Sequence, residues 1–315
     1  DGSYYYYGFR NYAKALIQYE KARDISPGDT DVWNRIGWIN RRIGEWDEAI
    51  IHLEKSRELN PRSGDSYFQL GVMYGLVGDY ENGANFFRKT IELDPTHIDA
   101  YLGLSDFLMY DLDDVKSAVE ILEETLTWTE SPGRKILLID YYIQNSEYDK
   151  ALSFAESFDK EIIPHLAFIK VKSTLIGLVH RFSGNMDEAE DHFRKSISIL
   201  ENELEINPDN YAILLSLGEN YAYLENEEEA INFGKRSVEI LPESKDTFFG
   251  PNVLSRFGLI YTILGMEDEA IDIYDHVTSV PAGFTTGYLK KHPYFNKLRN
   301  NPRFKKILEK GKPLL

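Results

Sequence analysis

The amino-acid sequence predicts an all-α fold, a solenoid of about eight antiparallel helix pairs that ends in a C-terminal capping helix segment. The first reason is a pattern with a period of 34 residues, which is present twice in residues 30–95. The second is the helical spacing of apolar residues at positions 4, 7, 8 and 11 of each unit, which gives the first helix one buried stripe. The third is the regular placement of glycine and proline where helices would turn or stop.

The two regular units show why these residue types recur. A pair of helices that pack closely needs a small residue where they cross, and Gly37 and Gly71 fall at that position. Gly44 and Gly78 fit the turn between the helices, because glycine tolerates a positive φ. A proline then stops the second helix before the next unit begins. The recurring residues are Trp33, Ile36, Gly37, Ala49, Leu53 and Pro61 in the first copy and Tyr67, Leu70, Gly71, Gly83, Phe87 and Pro95 in the second.

The second copy resembles the tetratricopeptide repeat, whose signature is W-x2-L-G-x2-Y, then A-x3-F, then P. The residues that match are Tyr67, Leu70, Gly71, Tyr74, Phe87 and Pro95. The resemblance implies a right-handed superhelix in which the first helices of successive units line a concave groove. It also implies that the protein is a protein-protein interaction module.

The other units are less regular. Residues 1–27 fit the end of a first unit, and we expect the opening of that unit to lie in a missing upstream portion. A fourth unit starts near Ile98, and Tyr142 belongs to a weaker fifth one. After Phe158 the period lapses until Gly177, and we expect helices to continue through this join.

The later units contain two departures from the period. The second helix of the sixth unit runs on from Ala189 to Asn207, about two turns too long, so that it either projects as an interaction feature or covers the irregular join. An insertion at residues 243–250 separates the seventh unit, which ends at Pro242, from the eighth. We expect the array, residues 1–287, to be elongated, because each repeat contacts only its neighbours.

Residues 288–315 differ from the array in charge. They contain nine Lys or Arg and one acidic residue, whereas the whole chain carries a formal net charge of −17. Asn301 and Pro302 are a good start signal for a helix. We expect a basic capping segment whose apolar side covers the last array helix, while its lysines stay in solvent or meet acidic residues of that helix. The apolar side consists of Phe295, Leu298, Phe304, Ile307 and Leu308.

This tail is similar to the ending of bacterial tetratricopeptide regions that follow nucleotide-cyclase, TolB-like or DNA-binding regulatory domains. The residues that match are Pro293, Phe295, Leu298, Arg299, Pro302, Arg303, Phe304 and Leu308. The resemblance implies an alternative function, in which the array is a sensory or dimerisation region of a larger bacterial signalling protein with an upstream effector domain. A third interpretation is that the array only holds an assembly together.

The sequence contains no pattern for catalysis, for a cofactor or for a metal ion. There is no cysteine, and the seven histidines form no H-E-x-x-H motif. A phosphate-binding loop with its lysine and a G-x-S-x-G elbow are also absent. We therefore expect a protein that is not an enzyme.

The charge and the apolar runs restrict the partners. The negative net charge argues against general binding to nucleic acid or to anionic membranes. No apolar run approaches the length that crosses a bilayer. We expect a cytoplasmic protein that binds a protein or peptide, the alternative being an extracytoplasmic location behind an upstream membrane anchor; the oligomeric state stays open.

In this family, groove-facing side chains occupy positions 2, 5, 6, 9, 12 and 13 of each unit. Trp38 and Arg41 lie about one turn apart, so we expect them to take an apolar and an acidic group of the partner together; the alternative is that Trp38 packs on the neighbouring unit. A clamp for a C-terminal carboxylate is disfavoured, because the third unit has no basic residue in its first helix. The candidate residues are Asn34, Arg35, Trp38, Arg41 and Arg42 in the second unit, Phe68, Gln69 and Val72 in the third, Leu102, Asp106, Met109 and Tyr110 in the fourth, and Asp140 in the fifth.

Overall fold

A computed structural model describes residues 2–126, 131–165 and 168–310 of the chain. It is an all-α repeat solenoid of eight units, as the period predicts. The units comprise a π-helical turn Tyr4–Gly8 with α1 Tyr12–Ile25; α2 Thr30–Ile43 and α3 Trp46–Leu59; α4 Gly64–Leu76 and α5 Tyr80–Leu93; α6 Ile98–Tyr110 and α7 Val115–Thr125; α8 Pro132–Gln144 and α9 Tyr148–Glu156; α10 Lys172–Ser183 and α11 Met186–Ile206; α12 Tyr211–Tyr223 and α13 Glu227–Ile240; and α14 Gly250–Leu264 and α15 Glu267–Val277.

The predicted glycine positions have the expected geometry. A Cβ atom on Gly37 would lie 2.8 Å from Leu53, and one on Gly71 would lie 2.6 Å from Phe87. Both distances are too short for any side chain, so the two helices of each unit approach as closely as they do only because the crossing residue is glycine. Gly44 closes its helix with a φ of 86°, in the left-handed region that favours glycine.

The join after the fifth unit is a β-hairpin, so the prediction that helices continue there was wrong. Strand β1 is Ile162–His165 and β2 is Phe168–Val171, and they pair antiparallel with Ile162 opposite Val171. The segment is too short for a further helix pair, and its β-branched residues suit a pleated strand. Val171 is buried and packs with residues of α11 and α12, so the hairpin replaces a missing helix in the core.

The long helix α11 covers this join. Leu200, in its extended part, is fully buried beside Val171. Lys195 also forms an ion pair with Glu161, just before the hairpin, at 2.5 Å. Only the last turn projects, where Ile206 is 72% exposed. Of the two interpretations of the long helix, packing against the join accounts for most of its length.

The C-terminal segment packs on the last unit. The ring of Tyr274 on α15 lies 5.5 Å from that of Phe295 and 6.0 Å from that of Phe304. The side chain of Asn301 accepts a hydrogen bond from the backbone N–H of Arg303 at 2.9 Å and so caps the final helix. The segment contains α16 Thr286–Lys291, the 3-10 turns Pro293–Phe295 and Leu298–Asn300, and α17 Pro302–Glu309.

The basic side chains of this segment meet acidic residues of α15. Arg303 contacts Asp268 at 2.9 Å and also pairs with Asp272, and Lys310 lies 2.5 Å from Asp275. Basic residues of the tail therefore form ion pairs with acidic residues of the same chain.

The two ends of the array also touch each other, which contradicts the expectation that each unit contacts only its neighbours. The N–H of Thr247 donates to the carbonyl of Arg42 at 3.1 Å, and the N–H of Ala282 donates to that of Leu76 at 3.3 Å. Further along, the ammonium of Lys291 donates to the carbonyl of Met109 at 2.8 Å. The insertion and the residues that follow α15 thus lie against the carboxyl ends of α2, α4 and α6, and the solenoid closes on itself.

Candidate functional site

The groove-facing positions lie on the first helix of each unit, that is on α2, α4, α6, α8, α10, α12 and α14. The chain's own segments cover part of this surface. We call residues 243–250, which precede α14, the bridging loop, and residues 281–294 the crossing segment. The bridging loop lies on α2, and the crossing segment lies on α4 and α6.

The bridging loop covers two of the predicted arginines of the second unit. The guanidinium of Arg41 is buried and lies 4.3 Å from the ring centroid of Phe248. That of Arg42 lies 4.1 Å from the ring of Phe249 and contacts Asp246 at 3.2 Å. Cations over aromatic faces gain electrostatic energy from the ring quadrupole, and more when water is excluded.

Asp246 is the centre of this contact. Its carboxylate is fully buried and accepts a hydrogen bond from the hydroxyl of Tyr12 at 2.6 Å, in addition to the pairing with Arg42. The backbone N–H groups of Phe248 and Phe249 also donate to it, each at 3.0 Å. A buried carboxylate is stable only when it is paired and hydrogen-bonded, and here one residue joins units one, two and eight.

Burial also perturbs Arg41. Loss of hydration and the neighbouring charge of Arg42 lower the pKa of Arg41 to about 10. Its Nε has no hydrogen-bond partner among the residues that the structure describes. The guanidinium of Arg41 is therefore held by ring contact and not by a carboxylate.

The remaining candidates of the second unit are Asn34, Arg35 and Trp38. Arg35 is partly exposed, and its guanidinium lies 5.6 Å from the ring of Trp38 and 5.8 Å from that of Tyr19. Asn34 is buried and donates to Asp65 of the third unit at 3.3 Å.

Trp38 is partly buried against a cluster that contains Leu70 and Met73 of the third unit. Trp38 therefore packs on the neighbouring unit, as the second of the two predictions for this residue states. Part of its surface nevertheless remains accessible. The indole thus both joins two units and contributes to the groove face.

The third unit continues this open face. Phe68 and Val72 are partly buried, and the ring of Phe68 lies 4.5 Å from that of His97. Gln69 is buried, and its side chain donates to Asp65 at 3.4 Å. Arg35, Trp38, Phe68 and Val72 therefore form a surface with one cation and several apolar groups.

The candidates of the fourth unit lie under the crossing segment. Tyr110 is buried, its ring lies 5.1 Å from that of Tyr288, and its hydroxyl accepts from Gln144. Met109 is also buried, and its carbonyl accepts from Lys291, whereas Leu102 is partly buried in the main core.

Asp106 and Asp140 occupy the same position in successive units and face the covered interior. Burial, with the charges of Asp111 and Asp140, raises the pKa of Asp106 to about 7. Burial raises the pKa of Asp140 to about 6, against the opposing effect of Lys170. Both carboxyls thus titrate near neutral pH.

A cavity of about 130 Å³ adjoins Asp140. It lies between β2, the first helices of units five to eight and the crossing segment. Glu219 and Arg256 form a buried bidentate ion pair in its wall, with distances of 2.7 and 2.6 Å. Lys170 of β2 also lines it.

Three of these wall residues were not predicted from the sequence, namely Glu219, Arg256 and Lys170. The first two lie at groove positions 9 and 6 of their units, so the positional rule that selected Asp106 and Asp140 would have found them if extended to the later units. Lys170 lies on the hairpin, for which the period contains no signal.

The described ranges contain neither a metal-binding cluster nor a helix that could span a membrane. Residues 2–126, 131–165 and 168–310 contain no group of three or more His, Asp or Glu that could hold a metal ion. None of the helices in those ranges is both long and apolar enough to cross a membrane.

The stacked helix pairs and their groove define a helical-repeat protein. Family models described as tetratricopeptide repeat match residues 3–64, 64–97 and 171–243, together more than half of the chain. The chain belongs to the tetratricopeptide repeat proteins. No curated protein matches it.

Several solved structures are similar to this chain at low sequence identity. The Cut9–Hcn1 hetero-tetramer of APC/C is 17% identical, with a TM-score of 0.48, over 95% of this chain and 53% of that one, so the chain spans about half its length. YrrB, titled a TPR protein with an unusual peptide-binding site, is 18% identical, with a TM-score of 0.33, over 71% of this chain and 92% of that one. MamA is 19% identical, with a TM-score of 0.33, over 62% and 92%.

Proposed function

We propose that the protein is a non-catalytic interaction module that binds a peptide or protein segment on the open groove face of units two and three. Arg35, Trp38, Phe68 and Val72 carry the binding. The partner segment is acidic and contains an aromatic or large apolar side chain.

The charge of the face supports an acidic partner. Arg35 forms no ion pair with a carboxylate of the residues that the structure describes. Its interactions are with the phenol groups of Tyr7 and Tyr19 and with the ring of Trp38. In a chain with a net charge of −17, a groove cation without an acidic partner favours a ligand that supplies the carboxylate.

The composition of the bridging loop supports an aromatic side chain in the partner segment. It places one carboxylate and two aromatic rings on Arg41 and Arg42, about two turns after Arg35 on the same helix. The observation that carries the proposal is this contrast: the bridging loop brings a carboxylate and aromatic rings to two arginines of α2, while Arg35 on the same helix contacts aromatic rings but no carboxylate of a described residue. Trp and Arg are also the side chains most often dominant at interfaces.

The test is selection of displayed random peptides on the purified protein, followed by affinity measurements. We expect the selected peptides to be rich in Asp or Glu beside Trp, Phe or Tyr. Arg35→Glu and Trp38→Ala should each weaken binding by about tenfold or more. Arg88→Glu, a charge reversal at an exposed position of α5, is the matched control and should bind like the wild type. No common motif, or equal affinity for the variants, would contradict the proposal.

The alternative, a sensory or dimerisation region behind an upstream effector domain, rests on the C-terminal motif. The motif residues have roles in the cap: Phe295 and Phe304 pack on Tyr274, and Arg299 donates to the carbonyl of His292. The motif is thus explained by packing, and the full-length gene is the observation that decides between the alternatives.

A further inference from the structure

The cavity between β2, units five to eight and the crossing segment contains two charged side chains without partners. The ammonium of Lys170 and the carboxylate of Asp140 both line it. Neither group forms a hydrogen bond or an ion pair with a residue that the structure describes, so more than 4.0 Å separates them. Each is nevertheless close enough to alter the titration of the other.

Most of the other polar groups of the wall are already paired, whereas the hydroxyl of Tyr288 forms no hydrogen bond with a residue that the structure describes. Glu219 and Arg256 bind each other in a bidentate ion pair. The hydroxyl of Thr174 donates to the side chain of Asn220 at 3.0 Å, and the hydroxyl of Tyr223 donates to that of Tyr294 at 2.9 Å. Lys170 and Asp140 are thus the charged groups left to recognise a ligand.

The size of the cavity restricts that ligand. A volume of about 130 Å³ is slightly below the roughly 150 Å³ of an engineered protein cavity that binds benzene. The space therefore holds about six non-hydrogen atoms. Unlike that apolar cavity, this one presents one positive and one negative group.

We propose that this cavity binds a free α-amino acid of about the size of alanine. The carboxylate of the amino acid pairs with Lys170 and its ammonium pairs with Asp140. A simple anion or cation satisfies only one of the two and leaves the other charge buried and unpaired, which is costly. A zwitterion satisfies both and adds no net charge to the interior.

The position of the cavity gives the binding a structural consequence. Phe284, Tyr288 and Tyr294 of the crossing segment form one side of its wall. A bound amino acid therefore contacts both the array and the segment that lies on α4 and α6. Binding holds this segment in its docked position.

The test is calorimetric titration of the intact chain with glycine, L-alanine and L-serine. We expect at least one of them to bind with one-to-one stoichiometry. Propionate and ethylamine, which each lack one charge of alanine, should bind about tenfold more weakly or worse, because each loses a charge-assisted contact.

Two variants test the site. Lys170→Met and Asp140→Asn keep the approximate side-chain volume, and each should weaken binding by about tenfold or more. Lys116→Met and Asp209→Asn alter exposed charges elsewhere and serve as controls.

Three results would overturn the proposal: no binding by wild type at about 10 mM amino acid, equal binding of propionate and alanine, or unchanged affinity in both variants with folding verified by circular dichroism. If one variant does not fold, the other variant and the two analogues still decide the question.

Discussion

At the scale of single residues, the groove side of this array buries several ionisable groups. Asp246 and Arg42 are paired, as are Glu219 and Arg256, whereas Asp106 forms no ion pair with a described residue. Loss of hydration penalises a charge wherever it is buried, and only a well-placed partner offsets the penalty. The paired and the unpaired groups should therefore respond differently to substitution and to pH.

Asp106 should make the protein less stable as the pH rises. Its pKa in the folded protein, about 7, lies above the ordinary value of 3.8. The folded state thus disfavours the ionised form, so the stability present at low pH is lost as the pH rises through about 7. We expect Asp106→Asn to lose less stability than wild type between about pH 5 and about pH 8, by about 1–3 kcal/mol.

Urea titration at both pH values measures this difference. The control is Asp209→Asn, at an exposed position. A pH dependence equal to that of the wild type would show that Asp106 ionises freely.

The ion pair of Glu219 and Arg256 should contribute strongly when only one partner is removed. Glu219→Gln leaves the buried guanidinium without a counter-charge, and we expect the free energy of unfolding to fall by about 3–5 kcal/mol. Glu120→Gln removes one partner of the exposed pair with Lys116 and should cost less than about 1 kcal/mol. Chemical denaturation of the two variants gives the comparison, and similar losses would contradict the distinction.

At the scale of the elements, the hairpin and the C-terminal segment both cover apolar faces that a helix pair would otherwise leave open. The hairpin packs Val171 against α11 and α12. The tail buries Leu289, Phe295, Phe304 and Ile307 with residues of α14 and α15. Terminal repeats need such a cover, because nothing follows them to bury their apolar side.

The cap should be important for stability. Phe304 is fully buried, so Phe304→Ala should lower the free energy of unfolding by about 3–5 kcal/mol, through lost burial and the resulting cavity. Lys306→Ala, two residues away at an exposed position, should have little effect. Thermal unfolding distinguishes them.

Deleting residues 288–315 should expose the last helix and promote aggregation. A truncated protein that stays monomeric with unchanged melting temperature would contradict the role of the cap.

At the scale of the whole molecule, the array departs from a one-dimensional stack. Contacts between residues about 200 positions apart, such as that of Arg42 with Asp246, couple its beginning to its end. In an open solenoid, stability is roughly a sum over neighbouring units. Here the contacts between the two ends contribute additional stability, and this contribution is lost completely when the two ends separate.

The closure should depend on Asp246. Asp246→Asn removes the charge that Arg42 and Tyr12 share and leaves a buried arginine unpaired, at a cost of about 3–5 kcal/mol. We expect the bridging loop to detach and the radius of gyration to increase, as measured by small-angle X-ray scattering. The neighbouring Lys245→Ala alters an exposed residue and should leave the scattering curve unchanged. An unaltered curve for Asp246→Asn would mean that the ring contacts of Phe248 and Phe249 suffice.

The sequence by itself determined the repeat, the eight units and the start of the final helix, because those features depend on contacts within about 34 residues. Gly37, Gly71 and the cap at Asn301 are local signals, and their structural roles are the predicted ones. The hairpin was not predicted, because the periodicity of a short apolar run does not distinguish a strand from a helix.

Only the tertiary structure decided which groove residues are free and which are covered. Arg35 and Arg41 are equivalent by position and residue type, yet one is partly exposed and the other lies under Phe248. That difference arises from the small rotation between successive units, which accumulates over the array and brings residues 243–250 back to α2. No local pattern encodes an accumulated rotation, so the sequence predicted the surface but not what lies on it.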